Sequence, residues 1–353
     1  MKKPSLFIAL LFLTTACQGT VLESPDNETL NASPGDHESP THIFENLAPG
    51  VYHATGTGKV SIGSYSMVVV NEEDVLLVDS HITPDAAREL VKSVSSITDK
   101  PVRYVVNTHW HFDHAHGNQI FSKGVEIIGH EYTREKLLGS VLSEPSYMII
   151  ASESYKRSQL ASLEENLKTS EIANRETLSR QLTTLRRHIT ALGEVSPTPP
   201  NVTLLHKLIL FRGSREIQIL HLGRGHTGGD VVVFLPREKI VFTGDLVLGS
   251  SPYLGDSFPE EYIQTLEKLK ELNFNLIVPG HGPLVRDRSI ISFTQEYLRK
   301  YWDQVKKSHD QGLSVEDAIS RLDLEEYGEY ALRRSKVREL EVRRMYYLLD
   351  KGK

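Results

Sequence analysis

The feature that most constrains this chain is a cluster of histidines placed directly after an apolar run. Residues 102–106 read VRYVV, which is typical of a strand buried on both faces of an α/β layer. The next stretch, NTHWHFDHAHGN, contains the pattern H-x-H-x-D-H, formed by His109, His111, Asp113 and His114. Packing alone does not explain three histidines and an aspartate within six residues, since each buried side chain would need a hydrogen-bond partner where the backbone is crowded. Imidazole and carboxylate suit zinc, and also manganese or iron, so the stretch predicts a metal site.

Three more candidate ligands follow predicted strands later in the chain. They are His226 in GRGHTGGD, Asp245 in FTGDLVLG and His281 in VPGHGP. Glycines flank each of them and allow tight turns, which can bring side chains from distant strands to one place. Together with the first cluster, these residues predict a single composite site. His116, also in the first stretch, is expected to support a ligand or to be exposed.

Apolar runs bounded by Gly, Asn or Asp predict several strands in each half of the chain, followed by helices. This is the layout of a four-layer αββα sandwich, although spacing alone does not separate it from other α/β folds. We predict one domain over residues 43–288 and a C-terminal helical extension over residues 289–353. Within the domain, the sequence Ser257-Phe258-Pro259-Glu260 has the form of a helix capping box.

A charged, leucine-bearing region separates the two halves. Its leucines have helical spacing, Asn174 interrupts the pattern, and the sequence PTPP at residues 197–200 closes it. We predict a helical insert, in the form of a hairpin, over about residues 131–195. Either its leucines pack onto the domain, or part of the insert covers the site.

The N-terminus has the parts of an export signal. Two lysines precede an apolar run at residues 6–13 that is too short to span a membrane, and small residues lead to Cys17, the one cysteine of the chain. Residues 1–17 resemble the lipobox segment of bacterial lipoproteins, in which Cys17 would be acylated; an ordinary cleaved signal is the alternative. Residues 18–42 are polar and predict a flexible linker. We expect export to the periplasm or cell envelope, with a membrane anchor if Cys17 is acylated.

The charge distribution argues against a nucleic-acid partner. The formal net charge is -6, and no dense cluster of lysine and arginine interrupts the mixed surface pattern. A small-molecule substrate is the expected partner, and the oligomeric state is left open.

The ordered motifs THWHFDH, GHTGGD, FTGD and PGHG, with LLVDS before them, resemble the metallo-β-lactamase superfamily over roughly residues 51–283. The resemblance implies that fold and two divalent ions, with Zn²⁺ expected and Mn²⁺ or Fe²⁺ as alternatives. One ion would be held by His109, His111 and His226, and the other by Asp113, His114 and His281. Asp245 would bridge the two ions, and Asp79 would support the site. Asp113 would also orient a hydroxide shared by the ions, formed because metal lowers the pKa of bound water.

Individual residues favour some reactions over others. His111 stands where redox members resembling flavodiiron proteins have glutamate, which favours hydrolysis. Asp245 stands where true β-lactamases carry cysteine or serine, whereas lactonases and glyoxalase-II-like thioesterases have aspartate. An exported enzyme would rarely meet glutathione thioesters, but would meet antibiotics and signalling lactones. We therefore predict hydrolysis of a carboxylic ester or lactone, with β-lactam hydrolysis second and thioester or phosphodiester hydrolysis below it. A metal-bearing lipoprotein that binds a ligand without turnover is the non-enzyme alternative. Tyr253 and Asp256 follow the bridging motif and are candidates for the pocket wall.

Overall fold

The computed structural model describes residues 36–121, 124–332 and 334–351. The predicted signal segment, Cys17 and most of the predicted linker lie outside these ranges. The linker prediction is wrong at its end, because His37–Glu38 already pairs with Phe44 and Ile43 of the next strand. In the described part of the chain, no helix is long and apolar enough to cross a membrane.

Within these ranges the first sheet contains eight strands in chain order. They are β1 (His37–Glu38), β2 (His42–Ala48), β3 (Val51–Gly56), β4 (Ser66–Val70), β5 (Val75–Val78), β6 (Val102–Val106), β7 (Glu126–His130) and β8 (Val202–Leu204). Strands β1 to β5 pair antiparallel, and β5 to β8 pair parallel. The parallel part places the carboxyl ends of β5, β6 and β7 at one edge, where the histidine-rich stretch begins.

The second sheet has the order β13-β12-β11-β10-β9. Its strands are β9 (Lys207–Arg212), β10 (Arg215–Leu220), β11 (Val232–Leu235), β12 (Ile240–Gly244) and β13 (Leu276–Pro279). Only the β12–β13 pair among these is parallel. The loops that follow β10, β12 and β13 carry the other three candidate ligands.

Successive side chains along each strand point to opposite faces of the sheet, and this alternation produces the layers. In β5, the side chains of Leu76 and Val78 join the core between the two sheets, while Leu77 faces the other way and packs with Leu90 of helix α1 (Pro84–Val94). In the second sheet, Phe242 points into the shared core and Val241 into a separate outer core. The predicted four-layer αββα sandwich is confirmed.

Helices form the outer layers and the insert. They are α2 (Phe112–Ala115), α3 (Glu131–Leu138), α4 (Pro145–Ile150), α5 (Glu153–Thr169), α6 (Ile172–Leu192), α7 (Pro259–Lys270), α8 (Ser289–Asp310), α9 (Val315–Ser320) and α10 (Ser335–Lys351). Short 3-10 turns cover Asn118–Ile120, Val141–Ser143 and Glu325–Ala331. The helical hairpin of the insert is present as α5 and α6, and its break falls at residues 170–171 rather than at Asn174.

The C-terminal helices belong to the outer layer of the sandwich. Val342 and Met345 of α10 are fully buried in the same core as Leu266 of α7 and Leu298 of α8. The segment after residue 288 therefore completes the outer core on the second sheet and is not an independent appendage.

The capping-box prediction is wrong. Helix α7 begins at Pro259, its N-cap is Phe258, and no side chain caps it. The Ser257 hydroxyl instead donates a hydrogen bond to the Leu254 carbonyl, at 2.9 Å.

Candidate metal centre

Asp79 anchors the loop that carries the first ligands. It follows β5 with a positive φ of 65° and is fully buried. Its Oδ1 accepts a hydrogen bond from the Thr108 backbone amide at 2.8 Å, and its Oδ2 accepts one from His114 Nδ1 at 2.7 Å. Because His114 donates through Nδ1, Nε2 is the nitrogen that carries the lone pair in the neutral ring and can serve as a ligand. Asp79 thus contacts both a candidate ligand and the loop that carries the first ligands.

The first group of ligand atoms consists of three imidazole nitrogens. His111 Nδ1 lies 3.0 Å from His109 Nε2 and 3.0 Å from His226 Nε2. Burial, reinforced by the neighbouring imidazoles, holds the pKa of His109 well below its usual range and lowers the pKa of His226 to about 3. Both of these rings are neutral at pH 7, which leaves nitrogen lone pairs available to a cation.

The second group combines a carboxylate with two imidazoles. Asp113 Oδ2 lies 3.1 Å from His281 Nε2 and 3.7 Å from His114 Nε2. Although burial opposes protonation, the nearby carboxylates, Asp245 foremost, raise the pKa of His281 to about 10. These carboxylates create a negative field that also favours a metal cation. The His281 side chain is 36% exposed, whereas His114 is fully buried, so this group opens to solvent on the His281 side.

Asp245 lies between the two groups. Its carboxylate oxygens are 3.6 Å from His226 Nε2, 3.5 Å from His114 Nε2 and 3.5 Å from His281 Nε2. A Cβ atom on Gly280 would lie 2.5 Å from Asp245 Oδ1 and 2.8 Å from the His114 ring, so a glycine is needed at that position. The carboxylate can therefore reach atoms of both groups at once.

The donor set fits a metal. Each member of three sets, His109–His111–His226, His109–His114–Asp245 and Asp113–His114–His281, offers one ligand atom, and these atoms lie within 4.8 Å of one another in each set. In addition, His114 Nε2 and Asp245 Oδ1 are buried without a hydrogen-bond partner. Buried polar atoms that lack a partner are unfavourable unless a ligand satisfies them. Nitrogen and carboxylate donors are the ligands that zinc accepts.

The remaining predicted residues surround this set. Asp256 Oδ2 lies 3.1 Å from His111 Nε2, so it supports a ligand, which is a more specific contact than the predicted pocket wall. The Tyr253 ring lies 6.0 Å from the His111 ring and 6.4 Å from the His226 ring. His116 is 1% exposed, so the expectation that it could be exposed is wrong; its ring packs 5.6 Å from that of Tyr147.

Asp230 is a site residue that the sequence reasoning missed. Its carboxylate accepts hydrogen bonds of 2.8 Å from both the Thr227 backbone amide and the Thr227 hydroxyl, directly after His226. Burial raises the pKa of Asp230 to about 6. The sequence feature that could have identified Asp230 is its position at the end of GHTGGD, from which its carboxylate can accept hydrogen bonds from the same loop.

The helical insert contacts the metal loop. Phe112, between two candidate ligands in the chain, packs with Tyr147 and Ala151 of the insert. Leu182 and Ile189 of α6 are also buried, whereas α5 has no fully buried residue among those described. Part of the insert thus packs onto the domain, and its beginning lies against the site.

Comparisons with known proteins agree with this geometry. The sequence model of the metallo-beta-lactamase superfamily matches residues 62–281. A linear primary-alkylsulfatase from Pseudomonas sp. is 24% identical over 271 residues, 71% of this chain and 48% of that protein. A metallo-beta-lactamase type 2 from Bacillus cereus is 36% identical over 93 residues, 25% of this chain and 36% of that protein. The chain spans less than two thirds of the length of either relative.

Solved structures show the same architecture. The crystal structure of the DIM-1 metallo-beta-lactamase has a TM-score of 0.50 and 19% identity, and covers 74% of this chain and 99% of its own. A metallo-beta-lactamase from Erythrobacter litoralis has a TM-score of 0.50 and 18% identity, and covers 75% of this chain and 99% of its own. At these identities the likeness concerns the fold alone.

Proposed function

The chain belongs to the metallo-beta-lactamase superfamily, and from that premise we propose that it hydrolyses a carboxylic ester or lactone at a dinuclear zinc centre. Its superfamily relatives are metallo-hydrolases, so the coarser class, a metal-dependent hydrolase, follows from the match over residues 62–281. The seven residues His109, His111, Asp113, His114, His226, Asp245 and His281 would hold the ions. Mn²⁺ or Fe²⁺ would fit the same donors.

The observation that carries the proposal is the position of Asp245. Its carboxylate lies within 3.6 Å of ligand nitrogens from both groups, as a bridge between two ions requires. Two bound divalent ions would supply an activated water near neutral pH and a Lewis acid for the scissile carbonyl. The protein's contribution is to hold these ligands rigidly through Asp79, Asp256 and the glycine turns.

Asp113 is the proposed catalytic carboxylate. Its side chain is 14% exposed and faces His281, at the more open side of the site. There it can orient the attacking water and accept its proton, while the other oxygen acts as a ligand. No serine nucleophile is needed in this scheme.

The bond class rests on the residue at position 245. An aspartate there, rather than cysteine or serine, favours ester or lactone hydrolysis over β-lactam hydrolysis. A sulfate ester is the second candidate, because the alkylsulfatase aligns over 271 residues whereas the Bacillus cereus lactamase aligns over 93. We also propose export and anchoring through acylated Cys17, on the sequence pattern alone.

A substrate panel tests the proposal. Full-length protein loaded with zinc, or with manganese, is assayed on a lactone, an aryl carboxylic ester, an alkyl sulfate, a β-lactam, a thioester and a phosphodiester. We expect the highest kcat/KM on the ester or lactone. The highest kcat/KM on any other substrate of the panel would contradict the assigned bond class, and on the alkyl sulfate it would favour the second candidate. No turnover at full metal occupancy would instead favour a metal-bearing binding protein.

A further inference from the structure

Lys156 in the insert has no carboxylate partner. The insert contains three lysines, of which Lys136 pairs with Glu144 at 2.7 Å and Lys168 pairs with Glu165 at 2.8 Å. No carboxylate in the described ranges forms an ion pair with the Lys156 ammonium, although that side chain is partly buried. The ammonium lies 5.4 Å from the centre of the Tyr155 ring. A partly desolvated ammonium without a carboxylate partner is unfavourable unless a ligand compensates it.

The fold places Lys156 beside the metal centre. Helix α5 begins after Ala151, which packs against Phe112 of the metal loop. The Lys156 amide donates to the Ser152 carbonyl at 2.9 Å, so the lysine lies in the first turn, at the end of the helix nearest the ligands. Burial and the charge of Arg334 lower the pKa of Lys156 to about 8, and the acidic group that opposes this shift is Asp113.

Two further groups make this region electropositive and polar. Arg334 donates a hydrogen bond to the hydroxyl of Tyr155, the residue before Lys156, and its guanidinium lies 5.3 Å from that ring. His188 of α6 is 4% exposed, and neither of its ring nitrogens has a hydrogen-bond partner. It is close enough for the charge of Lys156 to contribute to lowering its pKa, after burial, to about 3. A neutral, buried imidazole with both nitrogens unsatisfied points to a ligand in the same place.

Metal binding would change the charge that Lys156 faces. Asp113 is the carboxylate whose charge Lys156 senses, and as a metal ligand it would be neutralised by the cation. The loaded site would then leave Lys156 and Arg334 without an ion-pair partner among the carboxylates of the described ranges. The missing negative charge must come from solvent ions or from the substrate.

We propose that Lys156, flanked by Arg334 and His188, forms a subsite that binds an anionic oxygen group, a carboxylate or a sulfate, carried by the substrate. This inference rests on the proposed hydrolytic function and adds a substrate class to it: esters or lactones that bear an anionic substituent near the scissile bond. Neutral esters would be turned over without this contact and with weaker binding.

Matched substrates and matched lysine variants test the subsite. Wild type, Lys156→Gln, Lys156→Arg and the control Lys168→Gln, all zinc-loaded, are assayed on an aryl ester with a free carboxylate and on its methylated, neutral counterpart. Since a charge-assisted hydrogen bond is lost, we expect Lys156→Gln to raise KM for the anionic ester about tenfold. KM for the neutral ester should be unchanged, Lys156→Arg should restore most of the binding, and Lys168→Gln should behave as wild type.

Sulfate binding separates this proposal from the catalytic one. Calorimetric titration of the loaded proteins with inorganic sulfate should give about tenfold weaker binding in Lys156→Gln than in Lys168→Gln. If that difference appears while wild type hydrolyses neither ester, the subsite stands and the ester assignment fails. Equal sulfate affinity in both variants, or an equal KM increase for both esters, would overturn the subsite.

Discussion

Substitution of Asp256 tests how the protein orients His111, one of the candidate metal ligands. Its carboxylate accepts a hydrogen bond from His111 Nε2 at 3.1 Å, across 145 positions of sequence. Because His111 donates through Nε2, its Nδ1 carries the lone pair that faces His109 and His226. Asp256→Asn keeps an oxygen acceptor but removes the negative charge, and Asp256→Ala removes the acceptor altogether.

The expected magnitude follows from how well this pair is shielded. The side chains of His111 and Asp256 are 6% and 17% exposed, so the hydrogen bond is only weakly screened by solvent. Loss of such an outer partner typically lowers metal affinity by about 10- to 100-fold. We expect zinc affinity to fall about 10-fold in Asp256→Asn and about 100-fold in Asp256→Ala, which corresponds to roughly 1.4 and 2.7 kcal/mol of binding free energy.

Competition with a chromophoric zinc chelator at pH 7 measures the affinity directly. Asp310→Asn is the matched control, since Asp310 is exposed and pairs with Lys306 at 2.9 Å on α8. The control should bind zinc as wild type does. An unchanged zinc affinity in Asp256→Ala, or the same loss in Asp310→Asn, would show that Asp256 does not prepare His111.

Three other predictions concern the ligand set, the sheet and the N-terminus. His111→Ala should abolish turnover and lower zinc content measured by elemental analysis; full activity would exclude it as a ligand. Burial lowers the pKa of His53 to about 4, so the unfolded chain binds more protons as the pH falls below 6.5 and stability decreases. His53 alone should contribute about 1.5 kcal/mol to the loss between pH 6.5 and 5 in chemical denaturation of the apoprotein, so the loss should be smaller by that amount in His53→Phe than in wild type. Cys17→Ser should release the protein from the membrane fraction, and continued association would remove the lipid-anchor proposal.

Local patterns were sufficient for the layers and for the candidate ligands. The alternation of Leu76, Leu77 and Val78 assigns side chains to opposite faces of a buried strand without knowledge of their partners. Three candidate ligands, His226, Asp245 and His281, could be identified for a similar reason, since each follows a strand and stands next to a glycine that permits a tight turn. Asp245 and His281 could thus be grouped with the histidine-rich stretch before any distance was known.

The sequence did not predict contacts between segments that are distant along the chain. The hydrogen bond between Asp256 and His111 depends on the position of the loop before α7. The spacing of residues along the sequence does not predict that position. The capping box failed for a different, local reason, because the turn that joins Ser257 to Leu254 competes with the cap. The burial of His116 depends on Tyr147 in the insert, whose docking onto the metal loop is a tertiary event.

The most direct test of the central claim, that Asp245 joins two metal ions in one hydrolytic centre, is elemental analysis of the full-length chain after zinc loading and dialysis. Wild type should retain two zinc ions per chain, and Asp245→Ala should lose the second ion together with turnover. Wild type that retains a single ion, or Asp245→Ala that retains two ions with unchanged turnover, would contradict the bridging role.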